Sequence, residues 1–271
     1  MKTFVISLPA SNERRTFQRE QLTRLGLEHV IVDAVSVDQL KGIDYDIPLD
    51  RWERIFMPTE VACFFSHYRL WQVIASSDQP ALVLEDDALL SSKLADFLKS
   101  VQGLSGVDHI TLETRLRKKL LGQKTPVHSS ISIARLYQDR TGAAAYILWP
   151  QGAVKLLEHA RRNGAALADA FISNFYELQS WQTVPALAIQ SDISANYGIE
   201  SPLHTHSYIQ ANDRRENYQV PGVSALRFKF RRIAAQLKLA KRFLSCACRA
   251  KRVVVNFDVE DFNGHMHQSD L

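Results

Sequence analysis

The stretch ALVLEDDALL, residues 81–90, begins as an apolar run and ends on charge. Ala81 to Leu84 show no polar alternation, which marks a strand buried on both faces, as in a parallel sheet covered by helices. The run stops on three carboxylates, Glu85, Asp86 and Asp87. If the chain stays extended, Glu85 and Asp87 point to one side and Asp86 to the other. Carboxyl ends of parallel strands face the crevice where open α/β sheets bind ligands, and oxygen donors there suit Mg²⁺ or Mn²⁺. The competing reading has these acids start the next helix, where negative charge meets the positive helix end.

The flanking sequence supports an α/β chain. KTFVISL (2–8) reads as a buried strand, and SNERRTFQREQLTRLGL (11–27) as a helix entered at Ser11 or Asn12 and stopped at Gly26. HVIVDAVSV (29–37) is a second strand. PTEVACFFSHYRLWQVIASS (58–77) is a helix in which Val61, Phe64, Phe65, Tyr68, Trp71 and Ile74 recur at helical spacing. After 81–90 come a helix, SSKLADFLKSV (91–101), and a strand, DHITLET (108–114). RLRKKLLGQKTP (115–126) reads as a basic loop or short helix. AAAYILW (143–149) is a strand, and PQGAVKLLEHARRNG (150–164) a helix with proline at its start and glycine at its end. Residues 167–194 carry one more helix and strand. The expected architecture is one α/β domain over residues 1–205 with a mostly parallel central sheet. Residues 206–271 are expected to form a polar loop and a basic amphipathic helical extension.

Charge divides the chain in the same way. The formal net charge is +4, and residues 217–257 hold ten Lys or Arg and no Asp or Glu, so subtracting these ten leaves −6 for the rest. On a helix Leu226, Phe230, Ile233, Leu237, Ala240 and Leu244 share one face, while Arg231, Lys238 and Arg242 lie away from it. Phe228, Phe230 and Phe243 sit among the positive charges and no base-reading motif accompanies them. Of three readings, nucleic acid, an anionic membrane surface and a merely solvated helix, the pattern favours the membrane surface. Three cysteines, Cys63, Cys246 and Cys248, do not make a disulfide framework, and the N-terminal apolar run is too short for a signal-peptide core. The expected setting is reducing and cytoplasmic, with the chain soluble or peripheral to a membrane.

Other groupings are less directive. EVACFFSH places Glu60, Cys63, Ser66 and His67 within two helical turns. Ser66 and His67 either stand at a helix end near a ligand or serve the core. His204 and His206, in LHTHS, are candidate metal ligands, with solvated surface histidines as the alternative. There is no nucleophile elbow, Gly-rich phosphate loop or dinucleotide fingerprint.

With these residues in place, the chain resembles glycosyltransferase family 25, the bacterial lipooligosaccharide galactosyltransferase group. The likeness runs through FVISLPASNERR, IVDAV, TEVACFFSHYRLWQVI, ALVLEDDALL, TGAAAYILWPQGAVKLL, LADAFI and VPALAIQSDIS. The family's usual Gly-Glu-Ile-Gly-Cys appears as Thr59 to Cys63, without either glycine. The resemblance implies a GT-A-like fold and an inverting hexosyltransferase, most simply one that moves galactose from UDP-galactose to a lipooligosaccharide or related glycan. It assigns Ser7, Leu8, Arg14, Asp33, Ala34, Glu60, Ser66, His67, Glu85, Asp86 and Gly142 to the donor site. Asp87 becomes a ligand of Mn²⁺ or Mg²⁺, and Asp169 the general base. Two alternatives stand beside it: another metal-dependent nucleotidyl transferase, and a non-catalytic binding protein docked on a membrane.

Overall fold

The computed structural model describes residues 1–43, 46–54, 56–140, 142–199, 201, 203 and 225–265. Its centre is a nine-stranded sheet. The chain opens with β1 (Lys2–Ser7), α1 (Asn12–Arg24), β2 (His29–Asp33), α2 (Pro58–Ala75) and β3 (Ala81–Glu85). β1 lies between β2 and β3 and parallel to both, with Ser7 beside Asp33 and Ile6 beside Glu85. The polar ends of three strands therefore emerge together, at the edge where open sheets bind ligands.

After β3 the chain turns at Asp86 and Asp87 into β4 (Ala88–Leu90), and only then reaches α3 (Leu94–Val101). Glu85 ends β3, Asp86 and Asp87 form the turn into β4, and none of the three begins a helix, so the helix-start reading fails. β4 is paired antiparallel with a later strand, β10 (Ala188–Gln190), in a separate two-stranded sheet.

The rest of the main sheet comes from β5 (His109–Thr111), β6 (Lys118–His128), β7 (Ile131–Gln138), β8 (Ala145–Leu148), β9 (Ser180–Val184) and β11 (Lys251–Val254). The spatial order is β11-β6-β7-β9-β5-β8-β3-β1-β2. Strands β1, β2, β3, β5, β9 and β6 point one way, while β8, β7 and β11 oppose them. The sheet is thus mixed, with one direction predominating. β8 is followed by α4 (Pro150–Asn163) and α5 (Ala168–Ser173), and β10 by the short α6 (Ser191–Ser194). Gly164 ends α4 at φ +83°, and a Cβ there would meet the Pro48 carbonyl oxygen at 2.5 Å. Only glycine suits both the conformation and the contact.

One face of the sheet packs Ile6, Val83, Tyr146 and Leu148 against α2, α4 and α5. The other packs Val5, Leu82, Leu84 and Ile147 against Leu22 of α1 and Leu94 and Phe97 of α3. The absence of polar alternation in β3 follows from this double cover.

RLRKKLLGQKTP does not form a loop or helix: β6 runs through it and forms a hairpin with β7. The burial of Lys119 makes this possible. Its ammonium, 1% exposed, meets Asp139 Oδ2 at 2.7 Å and donates to Gln182 Oε1 and the Glu113 carbonyl. A positive charge that reads as surface is neutralised inside the sheet, beside the buried Leu120 and Leu121.

The basic extension forms α7 (Ala225–Cys246). Its orientation is inverted relative to an ordinary surface helix. Arg231, Lys238 and Arg242 turn toward the body and donate to the carbonyl oxygens of Asp50 and Trp52, of Asn174 and of Tyr137 respectively. Leu226, Phe230, Ile233, Leu237 and Leu244 face outward, each more than half exposed. Phe228 and Phe243 are half-buried and do not join that outer stripe.

Candidate active site

The end of β3 divides its three acids among different partners. Asp86 is closed off: its carboxylate accepts from Ser7 Oγ at 2.7 Å and from Arg14 Nη1 at 2.9 Å. Its carbonyl oxygen and that of Ala88 accept from Gln18, while Gln21 accepts the Leu90 N–H. Two fully buried glutamines of α1 thus fix the acidic turn. Arg15 bridges the neighbouring strand ends, donating to the carbonyl oxygens of Ser7 and Leu8 and pairing with the exposed Asp33. Ala34 N–H donates to the Ser7 carbonyl oxygen at 2.9 Å.

Glu85 turns to the α2 face. Its Oε1 lies 3.1 Å from His67 Nε2, and His67 Nδ1 lies 3.0 Å from the Tyr146 hydroxyl, which also accepts from Trp71 Nε1 at 3.0 Å. With a neutral imidazole, every donor in this chain has an acceptor when Tyr146 donates to Nδ1 and Nε2–H donates to Glu85. Burial pushes the Tyr146 phenol well above its ordinary range, so the hydroxyl keeps its proton.

Asp87 contrasts with both. Its Oδ1 is buried and has no hydrogen-bond partner among the described residues. Burial, reinforced by Glu85 and opposed by Arg14, raises its carboxyl to about 7. A carboxylate left unsatisfied beside two others is set up for a cation. The donors fit a hard divalent ion: an orphaned oxygen on Asp87, and a Glu85 carboxylate that is about a quarter exposed and has only one oxygen on His67. A second grouping, Cys63, His67 and Glu85, brings sulfur, nitrogen and oxygen atoms within 4.8 Å of one another. It suits such an ion less well. His67 already uses both nitrogens, and burial together with Glu85 and Asp169 drives the Cys63 thiol up, away from the thiolate that binds metal.

Asp169 stands in the first turn of α5, accepting the Ala170 N–H at 2.6 Å. Burial raises its carboxyl, and Glu85 adds to the rise. It lies on the same face of the sheet as Glu85 and His67. The structure thus brings Ser7, Leu8, Arg14, Asp33, Ala34, His67, Glu85, Asp86, Asp87 and Asp169 to one edge. Two other residues are committed elsewhere. Glu60 is held by Nη1 and Nη2 of Arg54 and by the Met57 N–H, and Ser66 accepts from Val35 N–H and donates to the Ala62 carbonyl oxygen. His204 and His206 lie outside the described residues.

Several residues at this edge are not singled out by sequence pattern. Arg115 pairs with Asp192 of α6 at 2.7 Å. Glu113, two residues past β5, is 1% exposed with neither carboxylate oxygen partnered among the described residues. Gly142 lies against it: a Cβ there would be 3.0 Å from Glu113 Oε1. A glutamate at the end of an apolar strand was a usable signal, since DHITLET repeats the pattern of ALVLED.

A family model described as glycosyltransferase family 25 (LPS biosynthesis protein) matches residues 1–172. The lipooligosaccharide biosynthesis protein lic2B of Haemophilus influenzae is 26% identical over 200 residues, covering 69% of this chain and 75% of that one. Human procollagen galactosyltransferase 2 is 28% identical over 172 residues, covering 59% of this chain but only 26% of the human protein. Among solved structures, a Drosophila β1,4-galactosyltransferase 7 mutant in complex with manganese, UDP-Gal and xylobiose aligns over 81% of each chain. The identity is 10% and the TM-score 0.32.

Proposed function

The chain belongs to glycosyltransferase family 25, and on that premise we propose that it is an inverting, metal-assisted hexosyltransferase that moves galactose from UDP-galactose to a lipooligosaccharide or related glycan. The observation that carries the reading is Asp87, a buried carboxylate with an oxygen unpartnered among the described residues, beside Glu85 at the end of a parallel strand. Asp87 and Glu85 would hold Mn²⁺ or Mg²⁺. When bound, the ion neutralises diphosphate charge and so favours departure of UDP.

The remaining roles fall to the chain's own groups. Arg14, fixed by Asp86, adds positive charge at the strand ends, and the exposed Asp33 is free on one side to meet ribose or base hydrogen-bond donors. Asp169 takes the proton of the attacking acceptor hydroxyl. Burial that lifts a carboxyl toward neutral pH makes it a better general base, and such a group contributes roughly 10²- to 10⁴-fold. The test is UDP release and product mass across a panel of UDP-sugars, with and without Mn²⁺ and with a lipooligosaccharide acceptor. A hexose added to the acceptor with Mn²⁺ dependence is expected. Nucleotide on the product would favour a nucleotidyl transferase, and no UDP from any donor would favour a binding protein.

Helix α7 supports docking on an anionic membrane surface at the cytoplasmic face. Its outward stripe of five large apolar residues is flanked by the exposed Lys229 and Lys241, and its inward cations pin that orientation. No helix among the described residues is long and apolar enough to cross a membrane. Phe230→Glu with Leu237→Glu is expected to release the protein from phosphatidylglycerol vesicles while UDP release with a soluble acceptor is retained; undiminished vesicle binding would refute the docking.

A further inference from the structure

Arg115 lies on the chain that leaves β5, and a short run of contacts ties it to the acidic turn. Thr114 N–H donates to the carbonyl oxygen of Ala188, the first residue of β10, at 3.2 Å. β10 pairs with β4, and just past its other end Ser191 N–H donates to the Asp87 carbonyl oxygen at 3.0 Å. The next residue, Asp192, accepts from Arg115 Nη2 at 2.7 Å. Arg14 thus reaches the turn from α1, and Arg115 reaches it from the end of β5. Asp87, Glu113 and Asp169 all lie within electrostatic reach of the Arg115 charge.

The guanidinium is held but not completed. Its Nε and Nη1 have no partner among the described residues. Arg15, at the same edge, differs: its Nε and Nη2 are taken by the carbonyl oxygens of Leu8 and Ser7 and by Asp33. Incomplete groups instead gather where β10 meets the acidic turn. There the buried Ser191 Oγ and Asp87 Oδ1 also have no partner among the described residues. The backbone beside Arg115 is fixed. Leu116 sits at φ +49°, a left-handed conformation that a branched side chain adopts only where its surroundings impose it. Its N–H donates to Thr114 Oγ1, and that hydroxyl donates to the Val255 carbonyl oxygen at 2.7 Å.

A planar guanidinium with open donors, beside the carboxylates assigned to a divalent ion, matches the oxygens of a phosphate. We propose that Arg115 binds the β-phosphate of the nucleoside diphosphate, with Asp192 holding the guanidinium in place for it. The assignment rests on the sugar-transfer reading and deepens it. As the bond from the anomeric carbon to the β-phosphate oxygen breaks, its electron pair stays on that oxygen. The acceptor oxygen forms the new bond and gives its proton to Asp169. A guanidinium on the β-phosphate stabilises the charge that collects there. The Arg115–Asp192 pair is itself partly exposed, at 24% and 44%, so it adds little to stability and substitutions in it leave the fold in place.

The experiment titrates the full chain, wild type and Arg115→Gln, Arg115→Lys and Asp192→Asn, with UDP and with UMP, which lacks the β-phosphate, by calorimetry at one fixed Mn²⁺ concentration. Folding of each variant is checked by circular dichroism. Arg115→Gln is expected to weaken UDP by about tenfold or more and UMP by less than about twofold. Arg115→Lys is expected to recover part of that loss, and Asp192→Asn to bind UDP at least as tightly as the wild type. Unchanged UDP affinity in Arg115→Gln, or an equal loss for UDP and UMP, overturns the contact alone. So does a loss in Asp192→Asn as large as that in Arg115→Gln, which would make the pair a structural one. A wild type that binds neither nucleotide overturns the sugar-transfer reading, and the contact with it.

Discussion

Lys119 touches two buried acidic residues, and it treats them differently. At the base of the β6–β7 hairpin its ammonium pairs with the carboxylate of Asp139 and donates to Gln182, which uses two of its three protons. From Glu113 it takes only the backbone carbonyl oxygen, and the side-chain carboxyl is left without a partner among the described residues. The same contrast recurs at the end of β3, where Asp86 is filled by Ser7 and Arg14 while Asp87 Oδ1 has no hydrogen-bond partner among the described residues. Burial of charge is therefore not what marks the site; burial without completion is. A satisfied carboxylate holds the fold, and an unsatisfied one keeps a cost that a ligand can relieve.

The contrast is exposed to measurement. Lys119→Met strips Asp139 of its counter-charge in the interior, and denaturant unfolding is expected to register a loss of about 3–5 kcal/mol. A change below 1 kcal/mol would remove the distinction on its structural side. Asp87→Asn is expected to lower turnover by roughly 10²- to 10³-fold, about 2.7–4 kcal/mol, with the melting temperature at pH 8 unchanged or raised. A parallel collapse of stability would place Asp87 with the fold-holding acids.

The pH dependence follows from the same group. Asp87 has its folded-state carboxyl raised from 3.8 to about 7, so below that pH a cation must displace a proton. Mn²⁺ affinity, measured by calorimetry, is expected to rise by about tenfold between pH 6 and pH 8 and to lose that slope in Asp87→Asn. A flat profile in the wild type would separate the metal from Asp87. The smallest effect concerns Glu113. A carboxyl raised from 4.5 to about 8 makes the folded state lose stability as pH climbs through that window, because the folded form holds a proton that the unfolded chain has released. Glu113→Gln is then expected to melt a few degrees above the wild type at pH 9 and level with it at pH 4; a deficit at pH 9 would show that Glu113 is already paired.

Much of this arrangement is legible before any coordinates. The apolar runs of β1 and β3, the helical spacing of α2 and the Pro150 and Gly164 limits of α4 all follow from local pattern, because each element is buried in the way its own residues state. The ligand-facing edge is legible too, since the carboxyl ends of parallel strands converge by topology. What stays hidden depends on partners distant in the chain. Lys119 reads as surface until Asp139, just past β7, and Gln182 of β9 meet it, which is why β6 passes for a loop. Glu60 and Ser66 read as site residues until Arg54 and Val35 occupy them. Glu113 carries the strand-ending signal of Glu85 in weaker form, one acid in place of three, and its burial without a partner among the described residues shows only in the fold. The resemblance to the family supplies the roles of Asp87 and Asp169, which spacing alone does not distinguish.

Glu85 takes its aim from the interior. Trp71 holds the Tyr146 hydroxyl, which holds His67, which holds the carboxylate, and Trp71 is itself wedged against Phe64 and stacked on Phe171 at 5.7 and 5.5 Å between ring centroids. Phe171 belongs to α5, the helix whose first turn carries Asp169. One aromatic cluster therefore calibrates two acids on different elements at once. A volume-neutral swap within that cluster that left stability intact would therefore still misalign both acids, so the packing here sets aim as well as stability.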